Sequence, residues 1–202
     1  MSGEPLRAAA FIPVKSLTKV KSRLSSRLDL QRRIQLTHDS LRHIVHALKA
    51  VPQIDPIVII SRDPQVRGWA DDWGVGYLRE RGRSLNAALR EARTQYAQAP
   101  AILIVPSDLV ALSTADVQGL LGQAASGGER CVVIAPDRHG CGTNALLLRP
   151  PDVIEFEFGP HSAARHARRA LAAGVQLIWF RSDSICLDLD SPDDLELYLD
   201  QW

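Results

Sequence analysis

Short apolar runs and helix-period segments alternate along this chain. Ala8-Ala-Ala-Phe-Ile-Pro-Val14 is apolar and stops at a loop of Lys and Ser, as a buried strand does. Within Leu30–Ala50, Ile34, Leu41, Val45 and Leu48 share one face at helical spacing, which predicts an amphipathic helix. Ile57–Ser61 is β-branched and reads as a parallel-type strand, Gln65–Trp73 as a short helix closed by Gly74, and Val75–Leu78 as a brief strand. Ser84 caps an Ala-rich helix reaching Gln98, before Pro100. Strand Ala101–Val105 then delivers Pro106-Ser-Asp-Leu109, and Ser113 opens a helix to Ala125. The rest reads as strand Cys131–Ala135, apolar run Ala145–Leu148, helix Ala163–Ala173, strands Gln176–Phe180 and Ile185–Leu189, and a helix opened by Ser191-Pro192. Such alternation predicts an α/β fold, a mostly parallel sheet with helices on both faces. Ligands then bind beyond the C-terminal ends of the strands, so the residues following each strand carry the functional information.

Composition narrows this reading. With 202 residues, 46% hydrophobic and 23% charged, the chain is expected to form one domain over 1–202. A formal net charge of +1 excludes a duplex nucleic-acid binder that relies on a strongly basic domain. The charge is unevenly spread, because residues 1–50 hold ten Lys and Arg against three acids, and residues 183–202 hold seven acids and no base. Either the two clusters meet at a site for a metal-bound polyanion, or they are two solvated faces. Three cysteines without CxxC spacing indicate neither a disulfide framework nor a zinc site and suit a reducing compartment. There is no cleavable leader pattern and no apolar run long enough for a membrane span, so the expectation is a soluble cytoplasmic protein with no membrane partner.

Five segments carry candidate chemistry. In Val14-Lys-Ser-Leu-Thr-Lys-Val-Lys-Ser-Arg-Leu24, Lys15, Lys19, Lys21 and Arg23 stand at a strand end without an acid, suited to triphosphate oxygens although no Walker A frame is present. Asp108 follows another strand and can ligate a hard divalent cation. In Leu187-Asp-Leu-Asp-Ser-Pro-Asp-Asp-Leu195, period-two spacing projects Asp188 and Asp190 to one side, where two like charges call for a cation. Asp193 and Asp194 suit the positive start of the last helix. Between two apolar runs, Gly140 and Gly142 lead into Thr143-Asn144, and Phe156-Glu-Phe-Gly-Pro-His-Ser162 opens a helix whose free N–H groups can cap or bind an anion. His161 and His166 read as anion contacts or surface residues before metal ligands.

Together these blocks resemble the phosphoenolpyruvate or 2-phospho-L-lactate guanylyltransferases of deazaflavin coenzyme (coenzyme F-420) biosynthesis. The resemblance rests on IPVKSLTKVKSRL at 12–24, SLNAAL at 84–89, PSDL at 106–109, IAPDRHGCGTNALLL at 134–148, FEFGPHSAARH at 156–166 and DLDSPDDL at 188–195. It implies a glycosyltransferase-A-like nucleotidyltransferase fold and a GTP-dependent enzyme that moves GMP to a small phosphorylated acid, with phosphoenolpyruvate favoured. It further implies Mg²⁺, as two ions, on Asp108, Asp188 and Asp190, with Asp108, Lys15 and Lys21 catalytic. Thr143, Gly159 and Ser162 would bind the phosphorylated acid, Lys15, Lys21 and Arg23 the GTP phosphates, and Ser84, Leu85 and Asn86 the guanosine. The chain departs from the family pattern with Ser84 where Gly commonly precedes Leu-Asn, with Ser107 and Val110 around the acid, and with Ser191 for Thr. Rival readings are the same reaction on 2-phospho-L-lactate or 3-phospho-D-glycerate, a molybdopterin or sugar-phosphate nucleotidyltransferase, and a GTP-binding regulator. The expected partners are GTP, the acid and the next pathway enzyme. Oligomeric state stays open, with Trp69, Trp73 and Trp202 as core or interface candidates.

Overall fold

The structure is a computed structural model that describes residues 5–82 and 84–201, so Trp202 lies outside the described residues. Its strands are β1 (Ala8–Pro13), β2 (Ile54–Ser61), β3 (Gly76–Arg79), β4 (Ile102–Ile104), β5 (Cys131–Pro136), β6 (Thr143–Arg149) and β7 (Gln176–Trp179). The helices are α1 (Leu30–Lys49), α2 (Pro64–Asp72), α3 (Leu85–Gln95), α4 (Thr114–Ser126), α5 (Ser162–Ala172), α6 (Asp183–Cys186) and α7 (Pro192–Gln201). All seven strands form one sheet in the order β3-β2-β1-β4-β6-β5-β7. β6 alone runs against its neighbours, pairing antiparallel with β4 and β5. Its first residues therefore share a rim with the last residues of β1, β2, β4 and β5.

Strand alternation builds two cores. Ala8, Ala10 and Ile12 of β1 face Leu41, Ile44 and Leu48 of α1, with Val117 and Leu120 of α4 in the same layer. Ala9 and Phe11 turn the other way, into the layer that holds Ala88 and Leu89 of α3 and Ala163 and Ala170 of α5. The strands are buried on both faces, which explains their continuous apolar runs. Local signals agree with the helix starts: Asp29 accepts from Arg32 N–H, Asp63 precedes Pro64, Ser84 accepts from Ala87 N–H, and Ser113 with Asp116 forms a full capping box.

A third, smaller cluster joins Leu24, Val110, Ala111, Leu187 and Leu189, and so ties the basic loop and the acidic tail to the segment after β4. Leu24 is fully buried there. Truncating it to Ala would cost about 2–5 kcal/mol.

The expected strand Ile185–Leu189 is not formed. Ser182 caps a single helical turn, α6, by accepting from Ile185 N–H, and Leu187–Asp190 then runs extended outside the ladder. Its alternation of buried Leu187 and Leu189 with half-buried Asp188 and Asp190 comes from packing into the third cluster. One backbone bond, Leu189 N–H to Asp108 O at 3.0 Å, fastens it beside the end of β4. Smaller differences are that β2 starts at Ile54, where Asp55-Pro56 masks the pattern, and that α3 ends at Gln95. Among the described residues no helix is long and apolar enough to cross a membrane.

Candidate active site

Beyond the ends of β1, β2 and β4 lies a cavity of about 570 Å³. Lys15, Lys19 and Lys21 of the basic loop line it, with Arg62 after β2, Glu80 after β3, Ser84 and Leu85 at the start of α3, Ser107 and Asp108 after β4, and Asp190 of the tail. The basic loop is not irregular throughout, since Leu17–Lys19 and Ser22–Leu24 are short 3-10 turns. Between them Lys21 adopts a left-handed backbone with φ 44°, which an L-residue holds only when its surroundings impose it. Here they do, because the Lys21 side chain is buried and its Nζ donates to Leu189 O at 2.9 Å.

Lys21 is the electrostatic centre of the site. Burial lowers its pKa against the opposing pull of Asp108, Asp190 and Asp188. Burial likewise raises Asp108, opposed by Lys21 and Lys15. Asp188 is raised to about 6, first by burial and then by the negative charge of Asp108. Two desolvated carboxylates that repel each other beside the Lys21 ammonium form a hard-oxygen donor pair suited to a divalent cation. Asp190 differs, for it pairs with Arg23 Nη1 at 2.8 Å. Among the described residues no three His, Cys, Asp or Glu side chains gather as one metal-holding group.

The acids are held from behind. Asn144, buried at the start of β6, donates from Nδ2 to Ile185 O at 3.0 Å and to Asp188 Oδ1 at 3.3 Å. Asp116 accepts from Ser113 N–H and Oγ, from Ser184 Oγ at 2.6 Å and from Ser182 Oγ, anchoring α6 just before Asp188. Burial opposes the charge of Asp116, yet the serine donors keep its pKa below the usual carboxylate range. Asp194 accepts from Asp190 N–H, Ser191 N–H and Arg138 Nη2 at the start of α7, the place expected for it.

Thr143, Gly159 and Ser162 come together beside this network. Asp137 accepts from Cys141 N–H at 2.8 Å and Gly142 N–H at 2.7 Å, folding the turn ahead of Thr143 so tightly that a Cβ on Gly142 would stand 2.7 Å from Asp137 Oδ2. Ala163 N–H reaches back to Cys141 O at 3.2 Å, and Ser162 N–H to Gly159 O at 3.1 Å. Gly159 has φ 129°, closed to other residues, and a Cβ there would meet Arg165 Nη2 at 2.9 Å.

One expectation changes, and one residue gains a contact. His166 is not a surface residue or anion contact but fully buried, its ring between Thr143 Oγ1 at 3.1 Å and Glu157 N–H at 2.9 Å. Burial is the main reason its pKa falls to about 4. Asn86, expected at the guanosine, clamps the other limb: it accepts from Phe158 N–H at 2.9 Å and donates to Phe158 O at 3.0 Å. Arg62 escaped the sequence reading although it follows β2, the position that strand-end reasoning marks; it pairs with Glu80 at 2.7 Å and donates to Gly82 O, steadying the approach to Ser84. Asp116 and Asn144 carried no motif that announced their positioning contacts.

A sheet of this order, with a basic loop after its first strand and carboxylates gathered at the same rim, defines a nucleotidyltransferase. Solved structures share the fold: 4-diphosphocytidyl-2C-methyl-D-erythritol synthase (TM-score 0.66, 15% identity, covering 97% of this chain and 98% of that one) and a nucleotidyl transferase from Methanothermobacter (TM-score 0.67, 12% identity, 98% and 97%). The chain belongs to the family described as Guanylyl transferase CofC like, which matches residues 8–200. It is 43% identical over 188 residues to a phosphoenolpyruvate guanylyltransferase of Rubrobacter xylanophilus, covering 92% of this chain and 90% of that one. It is 39% identical to the protein so named from Sphaerobacter thermophilus (93% and 90%) and 34% identical to a 2-phospho-L-lactate guanylyltransferase of Methanothermobacter thermautotrophicus (94% and 82%).

Proposed function

We propose that this protein transfers GMP from GTP to phosphoenolpyruvate, forming enolpyruvyl-diphospho-guanosine and releasing pyrophosphate, in deazaflavin coenzyme (F-420) biosynthesis. The observation that carries the reading is the meeting of the basic loop with the acidic tail at Lys21, on the rim of a cavity of about 570 Å³. The names of the relatives supply the acceptor. A phosphate oxygen of the acid attacks the α-phosphorus of GTP, a new P–O bond forms, and the bond to the β-phosphate oxygen breaks. The nucleophile is already an anion, so positioning and charge neutralisation suffice without a general base.

Lys15 and Lys21 hold the triphosphate and stabilise the departing pyrophosphate, as charge-assisted donors do. Arg23 steadies Asp190, consistent with their 2.8 Å pair. Ser84 and Leu85 border the guanosine, and Asn86 supports Phe158 behind it. Thr143, Gly159 and Ser162 seat the phosphorylated acid next to Asp188, to which Asn144 connects them. Asp108 and Asp188 would hold Mg²⁺, which when bound neutralises phosphate charge, and Asp190 would join them only on release from its pair with Arg23. Pyrophosphate release is measured with GTP and an equimolar mixture of phosphoenolpyruvate, 2-phospho-L-lactate and 3-phospho-D-glycerate, with the product identified by mass. The enolpyruvyl product is expected; a lactyl or glyceryl product would reassign the acceptor, and no pyrophosphate with any acid would defeat the reading.

A further inference from the structure

His166 takes no part in the chemistry above, yet its ring joins all three parts of the proposed acid-binding corner. It lies one helical turn after Ser162. One ring nitrogen, Nε2, accepts from Glu157 N–H at 2.9 Å, two residues before Gly159. The other, Nδ1, faces Thr143 Oγ1 at 3.1 Å. Phe158 covers the ring edge-on, with centroids 4.9 Å apart, and Asn86 in turn holds Phe158 by both backbone groups.

The contact with Glu157 fixes the proton. A backbone N–H can only donate, so Nε2 must carry a lone pair. The proton of the neutral ring therefore sits on Nδ1 and is donated to Thr143 Oγ1. A hydroxyl that accepts at its oxygen keeps its own hydrogen for another acceptor. Burial keeps the ring neutral, with a pKa of about 4, so this assignment holds at physiological pH.

We propose that His166 is a positioning residue that sets the polarity of Thr143, making its hydroxyl an obligatory donor to an anionic oxygen of the phosphorylated acid. The proposal rests on the acid-binding role given to Thr143 above. It adds a reason for selectivity, because a fixed donor rewards an ionised phosphate or carboxylate oxygen and gives nothing to a group that can only donate.

The test has two arms on the full-length protein. In the first, ¹⁵N-labelled protein at pH 7 is examined by long-range ¹H–¹⁵N correlation of the His166 ring. The Nδ1-protonated neutral form is expected, and an Nε2-protonated ring or an imidazolium overturns the proposal whatever the reaction catalysed. In the second, steady-state kinetics follow Thr143→Val, His166→Phe, His166→Gln and the Thr143→Val/His166→Phe double variant. Loss of one charge-assisted bond should raise KM for the acid about tenfold in each of Thr143→Val and His166→Phe, with KM for GTP unchanged. The double variant should be no worse than Thr143→Val alone, and His166→Gln, which can accept at one end and donate at the other, should recover most of the loss. An unchanged acid KM in His166→Phe, or equal increases for both substrates, overturns the proposal. If His166→Phe does not fold, the ring spectrum and His166→Gln still decide. A wild-type protein inactive with every acid but carrying the expected tautomer would count against the acid-binding reading and not against the ring assignment.

Discussion

The two sides of the cavity rim are built on different principles. On the β1 side the cavity is bordered by exposed cations on a loop of short turns, and Lys21 alone among the loop's four cations is buried. On the β6 side Thr143, Asn144, Ser162, His166 and Asp194 are buried, and the side chains of Thr143, Asn144, His166 and Asp194 are already bonded to one another or to backbone. A triphosphate is long, flexible and heavily charged, so it can be gathered by mobile donors from solvent. A three-carbon acid offers few atoms, and discriminating it requires donors fixed beforehand. The contrast teaches where stability and catalysis should be coupled: substitutions on the β6 side should damage both, and those on the β1 side mainly the handling of GTP.

Asp188→Asn gives the largest break, because it removes the charge that faces Asp108. Turnover should fall about 10²–10³-fold or more, a loss of the size seen when one preorganised electrostatic group is deleted. Pyrophosphate release measured across a Mg²⁺ titration checks this, and wild-type activity with unchanged Mg²⁺ dependence would remove Asp188 from the site. Asp116→Ala strands the hydroxyls of Ser113, Ser182 and Ser184. It should lower folding stability by about 3 kcal/mol, read from the denaturant midpoint. It should also slow turnover through α6, so a stability loss with intact turnover would uncouple the two roles.

His166 gives the pH signature of the β6 side. Its pKa is lowered from 6.5 to about 4 in the native state, so between those values the unfolded chain binds a proton that the native one lacks. The stabilisation is complete above pH 6.5 and is lost as the pH falls toward 4, by about 3 kcal/mol in all. Urea titrations at several pH values should show that loss in the wild type and a flatter profile in His166→Gln; equal slopes would mean the buried ring is not what titrates. Smallest is Lys15→Met on the β1 side, where the side chain is exposed. KM for GTP should rise about tenfold while stability stays within about 0.5 kcal/mol, and a shifted melting temperature would blur the contrast.

How far the sequence foretold this depends on what each residue interacts with. Helix caps and strand runs were readable because their causes are local: Ser113 bonds within its own turn, and Ala8–Pro13 is apolar because both its faces are covered. Asp108 was readable because it follows a strand, whereas Asp188 and Asp190 came from the period-two spacing of a strand that does not form. What failed is long-range. Leu187–Asp190 alternates like a strand, but its apolar positions answer to Leu24 and Val110, distant in sequence, and not to a ladder. Nor does any local signal announce that the amide of Asn86 holds the backbone of Phe158, 72 residues away. A histidine among arginines looked exposed, and only packing of α5 against β6 and the 157–158 segment buried it.

The reversed strand β6 also bears on how the chain reaches its native state. Residues 8–104 contain every strand of the parallel half-sheet β3-β2-β1-β4, yet the β4 edge is closed only when β6 pairs with it. Until the hairpin of β5 and β6 docks, the nascent chain displays Ile102-Leu103-Ile104 as an unpaired apolar edge, the kind of surface through which partly made proteins associate. The same strand that brings Thr143 and Asn144 to the rim is thus the one whose arrival ends this exposure, so assembly of the corner proposed for the acid coincides with protection of the growing chain from aggregation.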